Sequence, residues 1–458
     1  MEIQRNEAVR GKVSKIHFVV QGFAVAAIIL LLTNGSQAHV DPANTTRSCH
    51  TPLLVSNFHR QNTLTSKGVD DEQWVMVKTK GNQFIVGDRP FYFNGFNSYA
   101  LMVLAADPST TGHVTEVLQQ AAAVGLTVCR TWGFRDGGSM ALQKSPSVYD
   151  ESVFKALDFV VSEAKNNKIR VILPLVDNWS DGYGGKAQYV KWARDAGFNV
   201  TSNKDGDDFF SHQTIKGYYK NHVKNMLTRV NTYTNVMYKD DPTIFAWELI
   251  NEPQCRSDPT GNTVQAWIEE MALHVKSIDP DHLLEVGTEG YYGPSTPTRL
   301  QDNPNIYSGQ FGTDFIRNHR VNGIDFASVH MYPELWLPNG TSLEVQLQFA
   351  QSWMQSHIAD AEGVLGMPVV FTEFGFCVKP HSAFNSTSRD QHLQAVYGEL
   401  LGSAQRSGAG AGNLLFEVIP EGLDSIKDCY GVVLTREAAT AGIMSAHSKK
   451  LQIINNRP

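Results

Sequence analysis

Two glutamates stand at the ends of apolar, strand-like runs: Glu252 in Trp247-Glu248-Leu249-Ile250-Asn251-Glu252-Pro253 and Glu373 in Val370-Phe371-Thr372-Glu373-Phe374-Gly375. A carboxylate at the end of a buried strand is costly unless it is paired or takes part in chemistry. Two such groups facing one another can split a glycosidic bond, one attacking the anomeric carbon and the other protonating the leaving oxygen. Retaining enzymes hold them roughly 5 to 5.5 Å apart, inverting enzymes further. A lone glutamate of this kind often only pairs with an arginine or caps a helix. Here several polar groups converge on strand ends, which favours the chemical reading. Arg130, between Cys129 and Thr131-Trp132, is the cation that could keep one carboxylate ionised. His330 and Tyr332 lie two apart and so project to one side of a strand. Trp132, Trp179 and Trp336 fall on loops, where flat aromatic faces can stack on sugar rings. A zinc site from His113, His330 and His381 lacks any ligand-spacing motif and is not expected; no cofactor is called for.

Such residues can meet only if the strand ends share one rim. Short apolar runs alternate with helical patterns from Phe91 to about residue 420, the signature of βα units around a parallel sheet. Eight strands are expected: Phe91 to Ala100, Leu126 to Phe134, Arg170 to Leu175, Thr243 to Ile250, Leu283 to Thr288, Phe326 to Met331, Val369 to Phe374 and Asn413 to Val418. Amphipathic helices are expected between them, among them Glu151 to Lys165, Gly217 to Thr232, Thr263 to Ile278, Leu343 to Ala361 and Arg389 to Arg406. The fold class is therefore α/β, a (β/α)8 barrel with long loops at the C-terminal face, where active sites of such barrels sit. The absence of a G-x-G-x-x-G after the first strand removes the main support for a dinucleotide fold. A hairpin around Lys80-Gly81-Asn82 could plug the other end.

The chain has 458 residues, with 39 Lys and Arg against 46 Asp and Glu for a net charge of −7, which disfavours nucleic acid as a partner. Basic residues at 5, 10, 12 and 15, an uncharged run from Ile16 to Leu32 and Ser36-Gln37-Ala38 read as a secretory signal peptide over residues 1–38. An uncleaved anchor is the competing reading of the same segment. Residues 39–72 then form an N-terminal extension and 73–458 a single catalytic barrel, expected to be monomeric and without stable membrane association once the leader is removed. Sequons at Asn44, Asn178, Asn199, Asn339 and Asn385 suit a secreted glycoprotein of the extracellular space or cell wall. Five cysteines leave at least one unpaired within a chain.

The stretches FNGFNSY (93–99), CRTWGFRDGG (129–138), DNWSDGYGGKAQYVKWA (177–193), FAWELINEPQC (245–255), SVHMYPELW (328–336) and VVFTEFGF (369–376) resemble glycoside hydrolase family 5, and within it the plant-type endo-β-1,4-mannanases. The resemblance implies Glu252 as acid/base, Glu373 as nucleophile, Asn251 at the sugar 2-hydroxyl, and His330 and Tyr332 lining the catalytic subsite with Tyr332 bonded to the nucleophile. It further implies β-mannan, glucomannan or galactomannan as substrate. One position departs from the pattern. The clan carries a Trp at the end of strand eight, beneath the sugar, where this sequence has Phe416. Two alternatives follow: a β-glucan-acting relative of the same mechanism, or a weakly active polysaccharide-binding barrel.

Overall fold

A computed structural model of the chain describes residues 74–457, apart from 181, 202–204, 379–383 and 424–426. The leader and extension expected over residues 1–72 lie outside the described residues.

Eight parallel strands form the centre: β1 (Phe93–Asn97), β2 (Val128–Arg130), β3 (Arg170–Pro174), β4 (Ile244–Glu248), β5 (Leu283–Glu285), β6 (Ala327–Met331), β7 (Val369–Phe374) and β8 (Gly410–Leu415). Every residue in them is buried, as strands covered by helices on one side and a packed interior on the other must be. The ladder runs β5-β4-β3-β2-β1-β8-β7-β6, so β1 joins β8 and the sheet curls into a barrel. The joint between β5 and β6 is made differently. The Asp325 amide donates to the Leu284 carbonyl (2.9 Å), Ser328 Oγ accepts the amides of Gly287 (3.1 Å) and Thr288 (3.0 Å), and the His330 amide donates to the Glu289 carbonyl (3.1 Å). A side-chain hydroxyl thus stands in for ladder bonds at the seam.

The N-terminal end is closed by the expected hairpin, Lys78–Lys80 against Gln83–Val86. Its Phe84 is fully buried and meets the rings of Phe245 and Phe326 edge-on at 5.1 and 5.2 Å. Burying a phenyl group this completely contributes about 1.5–3 kcal/mol.

Strand β8 begins three residues before the position expected. Gly410-Ala411-Gly412 reads as loop by composition, but a Cβ on Gly412 would come within 2.3 Å of the Phe93 ring, so the strand needs a residue without a side chain there. The helix expected over Gly217 to Thr232 is Gln213–Leu227, because Asn231 Oδ1 accepts the amides of Tyr233 and Thr234 and folds the chain into a turn. A further helix, Ala438–Asn455, lies beyond residue 420, where the expected alternation stops; it packs on Ser386–Gln405 and holds Asn94 of β1 through Met444 and Ser448.

Cys377 and Cys429 form a disulfide beside the C-terminal rim, while Cys129 and Cys255 are free and buried. Among the described residues, no helix is long and apolar enough to cross a membrane.

Candidate active site

Beyond Glu248 the β4 chain continues outward with its amides shared between both neighbours. Leu249 and Ile250 donate to Glu285 and Val286, Asn251 to Val176, and Glu252 to Gly287. Gly287 must be glycine, because a Cβ there would lie 2.2 Å from the Ile250 carbonyl oxygen. At Glu252 the backbone enters the left-handed region, φ 49°, a conformation that non-glycine residues adopt at a cost and that recurs at functional sites. The turn aims its carboxyl across the rim.

Glu252 and Glu373 each bring a carboxylate oxygen to within 4.8 Å of the other. All four oxygens have a hydrogen-bonding partner. Trp179 Nε1 donates to Glu252 Oε2 (2.6 Å), and His330 Nδ1 lies 2.8 Å from Glu252 Oε1 and 3.5 Å from Glu373 Oε2. Arg130 Nη1 donates to Glu373 Oε1 (2.6 Å) and the Tyr332 hydroxyl to Glu373 Oε2 (2.7 Å). Burial works against a charged His330, but Glu373 and Glu252 outweigh it and hold its pKa above the ordinary imidazole value. Burial likewise opposes the charge on Arg130, and Glu248 and Glu373 overcome it. Glu252, His330 and Glu373 are near enough to hold a cation, yet every carboxylate oxygen already has a side-chain partner, an arrangement suited to proton transfer and nucleophilic attack. His113 lies on the helix Thr111–Ala123 beside Glu116, and His381 lies outside the described residues.

Arg130 is the hub beneath the pair. Its Nε and Nη2 grip both oxygens of Glu248 at 2.6 Å, and Nη2 also donates to Asn251 Oδ1 (2.7 Å). Asn251 Nδ2 in turn donates to Asp177 Oδ1 (2.9 Å). Trp132 packs under the guanidinium, 4.8 Å from its carbon to the ring centroid, and is only 4% exposed; it is a wall of this hub and not the rim platform expected. Trp179 is half-buried at the cleft, and Trp336 is half-buried against Tyr291 and Trp353. Phe416 closes the far side among Tyr99, Tyr332 and Tyr430, with Tyr99 parallel to it at 6.1 Å. The Asn178 side chain is buried and accepts the Gln254 amide, so its sequon serves the site wall and not the surface.

Sequence reasoning missed three buried acids. Glu248 and Glu285 are paired in register on β4 and β5, and burial together with Glu248 pushes the Glu285 carboxyl well above the carboxylate range. Glu289, bonded to Gln254 Nε2 at 2.6 Å, is pushed up to about 8 by burial and by Glu252. The signal was present: acids inside the otherwise apolar runs Phe245-Ala246-Trp247-Glu248 and Leu283-Leu284-Glu285.

The sequence profile of the glycoside hydrolase family 5 β-mannosidase-like proteins matches residues 74–417. The chain belongs to that family. A rice protein provisionally named mannan endo-1,4-β-mannosidase 5 is 58% identical across 99% of this chain and 92% of its own length. Rice mannan endo-1,4-β-mannosidase 8 is 53% identical across 82% of this chain and all of its own. Among solved structures, an endo-β-1,4-mannanase from Thermotoga petrophila superposes with a TM-score of 0.67 at 29% identity, covering 80% of this chain and 77% of that one. In this family member the matched segment runs from the hairpin that plugs the barrel to the residue after Phe416.

Proposed function

We propose that the protein is a secreted, monomeric, retaining endo-β-1,4-mannanase acting on mannan, glucomannan and galactomannan in the extracellular space or cell wall. The observation that carries the mechanism is the carboxyl pair, with oxygens within 4.8 Å, the close spacing of double displacement and short of the ~6.5–9.5 Å of inverters. The named relatives supply the substrate class.

Glu373, with Arg130 and Tyr332 fixing its two oxygens, attacks the anomeric carbon. Glu252, oriented by Trp179 and His330, gives its proton to the departing oxygen and then takes one from the incoming water, or from a sugar hydroxyl in transglycosylation. Asn251, immobilised between Arg130 and Asp177, keeps an amide proton for the sugar 2-hydroxyl, a bond that strengthens as the ring gains positive charge. Secretion rests on the basic, apolar and small-residue pattern of residues 1–38.

Viscosity and reducing ends followed in parallel on galactomannan, mannan and carboxymethyl cellulose test the reading. Viscosity should fall well before reducing ends accumulate. Release of single mannose units from chain ends would contradict endo action, cellulose ranked above mannan would shift the substrate to β-glucan, and binding without depolymerisation would make the protein a polysaccharide-binding barrel.

A further inference from the structure

The chemistry above leaves one buried ion pair unused. Lys186 and Asp207 are 3% and 4% exposed, with Nζ 3.1 Å from Asp207 Oδ1 and 5.2 Å from the centroid of the Phe210 ring. Replacing a buried pair of this kind by apolar residues is often neutral or stabilising, so its presence alone is weak evidence that it holds the fold. What sets it apart is where the other hydrogen bonds of both partners go. Lys186 Nζ donates to the Gln254 carbonyl at 2.6 Å, and Asp207 Oδ2 accepts the Ser257 amide at 2.9 Å. Both ends of the pair thus grip main-chain atoms of one short segment, which begins two residues after Glu252.

The main chain of Lys186 reaches the other side of the acid. Its amide donates to the Asp177 carbonyl at 2.8 Å. Gly185, just before it, lies so close to the loop after β3 that a Cβ would come within 2.3 Å of the Trp179 carbonyl oxygen and 2.5 Å of that of Asp177. Trp179 is the residue whose indole meets Glu252 Oε2. Lys186 therefore ties together the two segments that meet at this carboxyl, the loop after β3 by its backbone and the turn after β4 by its ammonium. The left-handed backbone at Glu252 persists only where its surroundings over-determine it. Gln254 is held on both sides, its amide by Asn178 Oδ1 and its carbonyl by Lys186, and the charge-assisted bond is the stronger kind.

We propose that Lys186, paired with Asp207, is a positioning residue for the acid/base: it clamps the chain just beyond Glu252 against the loop that carries Trp179 and so sets where the carboxyl meets the leaving oxygen. The proposal rests on the mannanase reading, in which Glu252 is the proton donor, and adds the residues that aim it.

The test compares two aryl β-mannobiosides that share a glycone and differ in the leaving group. Dinitrophenolate departs unaided, whereas phenolate needs a proton from the acid. The readout is the ratio of kcat/KM for the 2,4-dinitrophenyl over the phenyl glycoside in the wild type, Lys186→Met, the double variant Lys186→Met with Asp207→Asn, and Glu252→Ala, with melting temperature measured alongside. Both Lys186 variants should raise the ratio about tenfold, a fraction of the roughly 10²- to 10⁴-fold that general acid catalysis supplies, and Glu252→Ala should raise it further. The double variant leaves no buried charge without its partner, so it keeps the test valid if Lys186→Met alone unfolds. An unchanged ratio in a folded Lys186 variant, whether both rates fall together or neither falls, overturns the clamp and makes the pair a part of the fold only, while a raised ratio in Glu252→Ala keeps the mannanase reading intact. A wild type that cleaves neither glycoside nor mannan, or a Glu252→Ala protein with the wild-type ratio, overturns that reading and the clamp with it.

Discussion

Glu289→Gln should make the protein more stable at neutral pH and leave it nearly unchanged in acid. In the folded protein the Glu289 carboxyl is buried, pushed up to about 8, and faced by Glu252 at the end of β4, His330 of β6, Tyr291 of its own loop and Arg256 through Gln254. In the unfolded chain it ionises near 4.5. A raised folded pKa means that folding takes up a proton, so stability is fully present below the unfolded value and is lost as pH rises toward the folded one. At pH 7 the loss is about 3 kcal/mol and at pH 5 about 1 kcal/mol. The coupling to Glu252 divides this between two carboxyls, so about 3 kcal/mol is an upper figure. Gln has no proton to gain. Its amide oxygen can still accept Gln254 Nε2, and its NH2 takes the place of Oε2, which has no hydrogen-bond partner among the described residues. The melting temperature of the variant should therefore exceed the wild type by up to about 4 °C at pH 7 and by about 1 °C at pH 5. The assay is thermal unfolding of both proteins across pH 4.5 to 8. A difference in melting temperature that does not change with pH would refute the reasoning, because it would mean that Glu289 is ionised in the fold or that the substitution acts through packing alone.

Glu373→Ala should abolish turnover, and azide should restore it as glycosyl azide of inverted configuration; Glu252→Ala should instead spare activated aryl glycosides, which need no proton. Identical behaviour of the two variants on such substrates would reverse the role assignment. Phe416→Trp, which enlarges the ring facing Tyr99 and Tyr332, should raise kcat on mannan by about 2-fold to 30-fold, the range of a stronger aromatic contact to a ring gaining positive charge. A folded variant with unchanged or lower kcat would count against Phe416 as a sugar platform. Cys377→Ser with Cys429→Ser opens a loop whose ends are 52 residues apart and should lower stability by about 2–4 kcal/mol, read as a fall in denaturation midpoint; a midpoint equal to wild type would mean that the loop is held by its packing alone.

The barrel was legible because its strands are runs of apolar residues separated by amphipathic helices, a pattern that survives without neighbours. The register of β8 was not, since Gly412 is chosen by the ring of Phe93, far away in sequence. At the site, Glu252 and Glu373 were found by asking which charges end strands. Glu248 and Glu285 escaped the same question because the strands expected over Thr243 to Ile250 and Leu283 to Thr288 run past them; in the structure they are the last residues of β4 and β5, side by side in register, with Glu248 gripped by Arg130. The three tryptophans were indistinguishable in sequence. Their different places, under a guanidinium, on a carboxylate and in an aromatic cluster, depend on loop paths that composition does not encode.

The left-handed backbone at Glu252 bears on how its loss should be read. Glycine is at ease at φ 49°, whereas alanine carries a steric penalty there and a β-branched residue a larger one. Replacing the glutamate by valine or isoleucine would thus disturb the turn as well as remove the proposed proton donor, and the lost rate would mix two causes. Glu252→Gly keeps the turn, and both it and Glu252→Ala remove the carboxyl with its bonds to Trp179 and His330, so the two measured side by side separate backbone geometry from loss of the carboxyl. Stabilisation screens meet the same preference from the other direction: position 252 will tend to reward residues that cannot donate a proton, and a library selected for heat resistance alone would discard the acid first.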